Sequence, residues 1–382
     1  MFFMPALKKR CSSAYKTTNH PPKPMKIRFY LFVMLLGLVR PVLSQDLHFS
    51  MFNMSPLTMN PAFTGAFEGT ARVGGIYRDQ WASFLQNQFT TPSFYLDVPL
   101  MRGLRKQDWI GVGAVMFNDK AGTADMEFVG SLLSASYHMG LGKDGRHLLT
   151  FGLQGGSSQR RIDLMADGLK FADELDKQVG GGGLGIGNGF DRKAGDEVSF
   201  LDFSFGAMLR SKISDKDQLE MGVSFNHISR PRYGFIGSGQ GQGQGPGQGP
   251  GQGNRDGARR PMRSTLHGKL VHRMSELLYL EPSFIFQTTG GAMEFGIQAL
   301  AGYKINNDFT LRAGPGMRLG DAAQVIIGAD YQDLRVGICY DVNISPLSEV
   351  SNFQGGFELA AQYIIKIYKK PKINPAILCP QL

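Results

Sequence analysis

The amino-acid sequence predicts an all-β fold, a transmembrane antiparallel β-barrel of about fourteen strands, on three observations. The N-terminus reads as a secretory leader. Apolar and polar residues then alternate with period 2 in segments of nine or more residues. The connections between those segments sort by length into two sets, as they do in outer-membrane barrels.

Residues 1–44 read as leader and signal peptide. Lys26 and Arg28 open it, Phe29 to Val39 is an apolar run, and Val42-Leu43-Ser44 ends in a small residue at the cleavage point. The run is too short to span a bilayer as a helix, which needs ~20 residues. Met25 is the expected true start, and cleavage after Ser44 leaves Gln45 first. No cysteine stands near that point, so no lipid anchor is expected. Export by the Sec route follows.

The leader also accounts for the charge. The chain carries 41 Lys and Arg against 32 Asp and Glu, and eight of the basic residues lie in 1–44, which leaves 33 against 32. The apparent basicity is therefore no argument for nucleic-acid binding. Only Cys339 and Cys379 remain beyond the leader. Two cysteines make no disulfide scaffold, and whether either is paired stays open. Glycine is 50 of 382 residues, well above the usual ~7%. No later stretch approaches ~20 apolar residues. In lipid, only helices and closed sheets satisfy the backbone, so the amphipathic strands imply a closed barrel.

The strands are expected near 70–78, 91–98, 108–118, 126–140, 147–157, 198–211, 217–227, 264–273, 277–287, 292–304, 308–318, 322–331, 333–341 and 355–367. Leu219, Met221, Val223 and Phe225 alternate with Glu220, Gly222, Ser224 and Asn226; Leu334, Val336, Ile338 and Tyr340 alternate with Asp333, Arg335, Gly337 and Cys339. With a periplasmic N-terminus, the long connections 158–197, 228–263 and 342–354 all fall outside, and tight turns such as 212–216 and 305–308 fall inside. Pro282 and Pro315 fit poorly within strands, where proline belongs at a bulge or an edge. The expected organisation is thus a leader 1–44, an N-terminal strap or plug 45–69, a barrel 70–368 with a flexible Gly/Gln loop 237–253, and a periplasmic tail 369–382.

Chemistry-bearing constellations are sparse. The histidines His48, His138, His147, His227, His267 and His272 form no metal-ligand spacing, and His267 and His272 fall on opposite faces of one strand. His227-Ile228-Ser229 has the His-x-Ser spacing of outer-membrane phospholipases, but it stands at a strand end. The run Gly180 to Gly187 lacks the Lys-Ser/Thr of a phosphate loop. Arg255, Arg259, Arg260 and Arg263 follow the Gly/Gln tract; they read either as a basic patch for anionic lipopolysaccharide or a partner, or as a solvated loop flank. No catalytic, cofactor or metal residue is assigned.

Several motifs together resemble one family. Gln45-Asp-Leu-His-Phe-Ser-Met-Phe-Asn53, running into Asn60-Pro61-Ala-Phe-Thr-Gly65, resembles the opening "QDPQFSQY…NPAYAG" of the PorP/SprF family of type IX secretion system membrane proteins. Tyr77-Arg78-Asp-Gln-Trp81 resembles "YR.QW", and Gly222-Val-Ser-Phe-Asn-His227 with Pro231 is similar to "G.S..HL..P". Tyr340-Asp341, Ser345 and Gly355-Gly-Phe-Glu358-Leu resemble "YD…S…GshEl", and Cys379-Pro380 resembles the terminal "CP.F". Phe357 and the Ile338-Cys339 pair depart from the pattern, and the Gly/Gln tract is an insertion.

The resemblance implies a non-enzymatic outer-membrane component of the type IX system of Bacteroidota, without a cofactor. Such proteins support secretion or surface anchoring of substrates, gliding adhesins included. Their partners are that secreted protein, other secretion components and outer-membrane lipid. By motif, a structural or docking role falls to Asn60, Pro61, Gly65, Tyr77, Arg78, Trp81, Tyr340, Asp341, Ser345 and Glu358. The strap 45–65 is open to three readings: a plug, a docking surface, or a purely stabilising element under the barrel. Two rival functions remain, a fatty-acid-type or small-solute transporter and an outer-membrane hydrolase.

Overall fold

The computed structural model describes residues 47–81, 89–105, 107–122, 126–142, 145–163, 197–234, 259–346 and 348–367. The leader, the Gly180–Gly187 run, the Gly237–Gly253 tract, Arg255, Cys379 and the tail 369–382 lie outside them.

Fourteen antiparallel strands form the wall: β1 (Ala71–Gln80), β2 (Phe89–Leu100), β3 (Trp109–Ala121), β4 (Met126–Leu141), β5 (His147–Arg161), β6 (Glu197–Lys212), β7 (Asp217–Asn226), β8 (Arg263–Arg273), β9 (Leu278–Thr289), β10 (Ala292–Lys304), β11 (Phe309–Arg318), β12 (Ala322–Tyr331), β13 (Leu334–Asn343) and β14 (Gln354–Ile365). Each pairs with its neighbours in sequence, and β1 closes the barrel on β14 from Ala71↔Ile365 to Gln80↔Gly356. Closure removes the edges whose bare N–H and C=O groups lipid could not satisfy. Every expected strand is present, with ends within two residues of those read from the sequence except at β3, which runs on to Ala121, and β5, which runs on to Arg161. At the end of the barrel where Ala71 and Ile365 lie, the turns are short and self-capped. Asn306 Oδ1 accepts from the Asp308 and Phe309 amides, and Ser275 Oγ accepts from the Leu278 amide at 3.0 Å. Such Asx and Ser turns fix a tight reversal locally.

The alternation separates two faces. Phe94, Leu96, Met116, Leu133, Leu153 and Leu201 point outward and stay 50% to 71% exposed. A surface so apolar is the lipid-facing belt of a membrane barrel. The inward set is polar and buried, and includes Arg72, Arg78, Asp97, His138, Gln154, Arg210, Glu220, Glu281, Asp341 and Glu358. Cys339 is a free thiol on this inner face, fully buried, with Sγ 3.6 Å from Asp341 Oδ1.

The two prolines are accommodated by gaps in the hydrogen-bond ladder. Pro282 pairs in register with Ala299 of β10, while the β8–β9 ladder is interrupted between Lys269↔Ser283 and His272↔Leu280. Pro315 pairs with Val325 of β12, while the β10–β11 ladder is interrupted between Gln298↔Gly316 and Ala301↔Ala313. Proline has no N–H to donate, so each gap falls on the side where the donor is missing.

Candidate functional site

The strap preceding β1 threads into the lumen. From Phe49 to Phe67 every residue except Asn53 and Thr58 is buried. It has almost no regular structure, only single turns at Phe52–Met54, Pro56–Met59 and Pro61–Phe63. Irregular backbone at membrane depth persists only where protein groups satisfy it. Here inward side chains of the wall do so. Arg263 of β8 donates to the Leu47 and Thr58 carbonyls at 2.8 and 3.1 Å. Gln154 of β5 donates to Leu57 O, and Ser224 of β7 to Met59 O at 2.7 Å. Arg72 of β1 serves Phe63 O, His138 and Ser136 of β4 serve Thr64 O, Trp109 of β3 serves Gly65 O, and Arg210 of β6 serves Ala66 O. In the turn after β2, Arg102 donates to Gly69 O at 2.9 Å, and burial holds its guanidinium below its usual pKa.

Two anchors fix the strap. The first is ionic. Glu358 of β14 accepts from the Ser50 and Met51 amides at 2.6 and 2.7 Å, one on each carboxylate oxygen. Arg78, its register partner on β1, pairs with Glu358 at 2.5 Å and with Asp341 of β13 at 3.1 Å. Arg318 of β11 reaches the same Asp341 oxygen at 3.1 Å. Ser50 Oγ donates to Asp341 at 2.7 Å, and Gln298 of β10 donates to Ser50 O. Two arginines thus face two carboxylates, all buried, and the strap backbone completes the coordination.

The second anchor is largely neutral and steric. Asn60 Nδ2 reaches Ala207 O, Val223 O and His267 Nε2 at 3.0 to 3.2 Å, and its Oδ1 accepts from Ala62 N at 2.9 Å. Gly65 takes φ +68°, a left-handed conformation that favours glycine, and its amide donates to Asp97 at 2.6 Å. Asp97 is itself held bidentately by Arg72 at 2.7 and 2.9 Å. His138 stacks on Trp109 at 4.5 Å between ring centroids. Inward glycines clear the path: a Cβ at Gly152 would strike Pro61 and Ala62, one at Gly206 would strike Asn60, and one at Gly111 would strike Thr64.

Of the ten motif residues, the fold brings Arg78, Asp341 and Glu358 together and places Asn60, Pro61 and Gly65 in the second anchor. The remaining four stand elsewhere. Tyr77 and Tyr340 point outward into the lipid-facing belt. Trp81, just past β1, packs edge-on against Phe89 at 5.1 Å, and Ser345, in the β13–β14 connection, donates from its amide and hydroxyl to Asn343 Oδ1. Arg72, Asp97, His138, Gln298 and Arg318 were not singled out as site residues from sequence, although their inward parity was readable; Ser50, in the irregular strap, has no strand parity to read. The basic flank is corrected in part. Arg259 is exposed and bridges Arg232, but Arg260 and Arg263 are buried, so they are neither a lipopolysaccharide patch nor a solvated flank. Arg260 lies over the Phe128 ring at 4.3 Å and 3.6 Å from Asp202, and Arg263 holds the strap. In the His-x-Ser element, His227 Nδ1 meets Asp202 at 2.5 Å while Ser229 Oγ donates to Leu201 O.

The space left between strap and wall near Arg72, Arg210, Lys269 and Glu281 is about 100 Å³. Ligand pockets usually run ~300–1,000 Å³. At this point the lumen is filled by a segment of the chain itself, and the gap beside it is smaller than such a pocket.

A closed fourteen-strand barrel with an apolar outer belt and a polar, strap-filled lumen is an outer-membrane β-barrel protein. The sequence model of the type IX secretion system membrane protein PorP/SprF matches residues 42–363, and the chain belongs to that family. No curated protein sequence matches the chain. Among solved structures, it is similar to the toluene transporter TodX of Pseudomonas putida (13% identity, 85% of this chain and 99% of that one, TM-score 0.47). It is also similar to the toluene transporter TbuX of Ralstonia pickettii (10%, 82% and 94%, TM-score 0.46) and to a FadL homologue of Pseudomonas aeruginosa (15%, 81% and 94%, TM-score 0.46). At these values the likeness carries nothing about ligand or activity.

Proposed function

We propose that this protein is a non-enzymatic outer-membrane partner barrel of type IX secretion, supporting the release or surface anchoring of a protein substrate such as a gliding adhesin. Family membership across residues 42–363 carries the reading. The strap refines it. With the lumen occupied from Phe49 to Phe67, the barrel acts as a docking platform for its substrate and for periplasmic secretion components, and the substrate does not travel through it. The segment 45–69 is then both plug and periplasmic docking element, and Asn60, Pro61, Gly65, Arg78, Asp341 and Glu358 hold it in the presenting conformation.

A clean deletion, followed by quantitative proteomics of the cell surface and the medium, tests the proposal. Loss of one large surface protein with other cargo intact identifies a dedicated partner barrel. Loss of all type IX cargo identifies a core component. Unchanged export defeats the proposal. The docking role is tested separately by removing 45–65: normal secretion from a correctly folded barrel would rule it out.

A further inference from the structure

On the lipid-facing wall, the belt of large side chains is broken at one place. Pro282, Ala299 and Pro315 point outward on the consecutive strands β9, β10 and β11, with Pro282 and Ala299 in direct register. Three short side chains abreast leave a trough: Leu280 and Ile297 stand next to Pro282 and Ala299 along their strands, Met317 stands next to Pro315, and Val325 of β12 closes the row. On β8, Gly268 stands opposite Phe284 and lies beneath the Phe284 ring and Met221 Sδ, which a Cβ there would meet. The result is a groove of about 500 Å³, with walls including Leu219, Met221, Leu270, Phe284 and Ile297.

The same row holds both interruptions of the ladder, one between β8 and β9 and one between β10 and β11. The wall therefore has fewer cross-strand hydrogen bonds on both sides of the β9–β10 pair. Behind it stand Ser283 and Gln298, both inward and buried. Ser283 Oγ accepts from Asn53 Nδ2 of the strap at 3.2 Å, and Gln298 binds Ser50 O.

We infer that this groove is a seat for one acyl chain of a membrane phospholipid, distinct from the general lipid contact of the belt. Its volume lies in the range of ligand pockets, ~300–1,000 Å³, and its walls are apolar along their length. The groove opens directly onto the belt that the bilayer already covers, so an alkyl chain reaches it without leaving the membrane. Met221, an unbranched and polarisable side chain, adapts its wall to a flexible occupant. The chain would lie against the stretch of wall that carries Ser283 and Gln298, on the opposite side from the start of the strap.

Photolabelling of the full-length barrel in bilayers of phosphatidylethanolamine with a diazirine near the end of one acyl chain tests the inference. Peptide mapping should place label on Met221, Leu270 and Phe284 at severalfold the yield found at the belt residues Leu133 and Leu153. Ala299→Trp fills the floor from an exposed position and should abolish the groove excess while leaving labelling at Leu133 unchanged. Pro315→Leu, a smaller intrusion, should reduce it partially and provides the same reading if the first variant does not insert. Equal labelling of groove and belt, labelling indifferent to both substitutions, or crosslinking of a polypeptide at Met221 in place of the lipid would overturn it.

Discussion

At its start the strap rests on Glu358 within a cluster of two arginines and two carboxylates, whereas from Asn60 to Gly65 it is held mostly by neutral donors, with one Arg72–Asp97 pair behind Phe63 and Gly65, and by glycines that clear its path. The two anchors fail in different ways. In the ionic one, removing a single partner strands charges that burial has separated from water. In the neutral one, losing a hydrogen bond costs little, but adding volume leaves nowhere for the backbone to go. One strap is therefore charge-locked near residue 50 and shape-locked near residue 61.

The largest effect is expected from Glu358→Ala. It leaves Arg78 with Asp341 as its one remaining carboxylate, which it shares with Arg318, and orphans the Ser50 and Met51 amides, a loss of about 3–5 kcal/mol. Urea unfolding of the detergent-solubilised barrel reads it; a midpoint equal to the parent protein would break the charge-locked half of the comparison. On the outer face, Leu133→Arg should cost ~2–4 kcal/mol at mid-bilayer, with chymotryptic protection of residues 47–67 unchanged. Faster strap cleavage in that variant would show that the two faces of the wall are not independent.

Gly152→Val drives a side chain into Pro61 and Ala62, an overpacking of about 1–3 kcal/mol. Its signature is specific: chymotrypsin should cut the strap while the barrel keeps its compact, heat-modifiable migration on gels. A protected strap would remove the steric argument. The smallest effect is expected from Ser224→Ala, which removes one bond to Met59 O and costs about 1 kcal/mol. A loss there as large as that of Glu358→Ala would erase the difference between the anchors.

The wall was legible in the sequence because its signal is local. Period-2 alternation needs only neighbouring residues, and Leu219 to Asn226 announces its two faces without reference to any other strand. Asx and Ser turns such as those at Asn306 and Ser275 are equally local. The prolines were read correctly as misfits, but the remedy, a ladder gap on one side of each strand, depends on which neighbour lacks a donor to meet. The family motifs marked Arg78, Asp341 and Glu358 separately, and nothing in their spacing joined them.

By itself, then, the sequence determined an antiparallel barrel of fourteen strands, its polar and apolar faces, and a distinct segment ahead of the first strand. Only the tertiary structure decided where that segment goes and what holds it. Closing β1 on β14 brings Ser50, Arg78, Arg318, Asp341 and Glu358 into one cluster across up to 308 residues of chain. It also turns Arg260 and Arg263, which read as a loop flank, into inward side chains. Alternation tells a residue which face it occupies; only closure tells it which residues share that face, because the lumen gathers side chains from strands far apart in sequence.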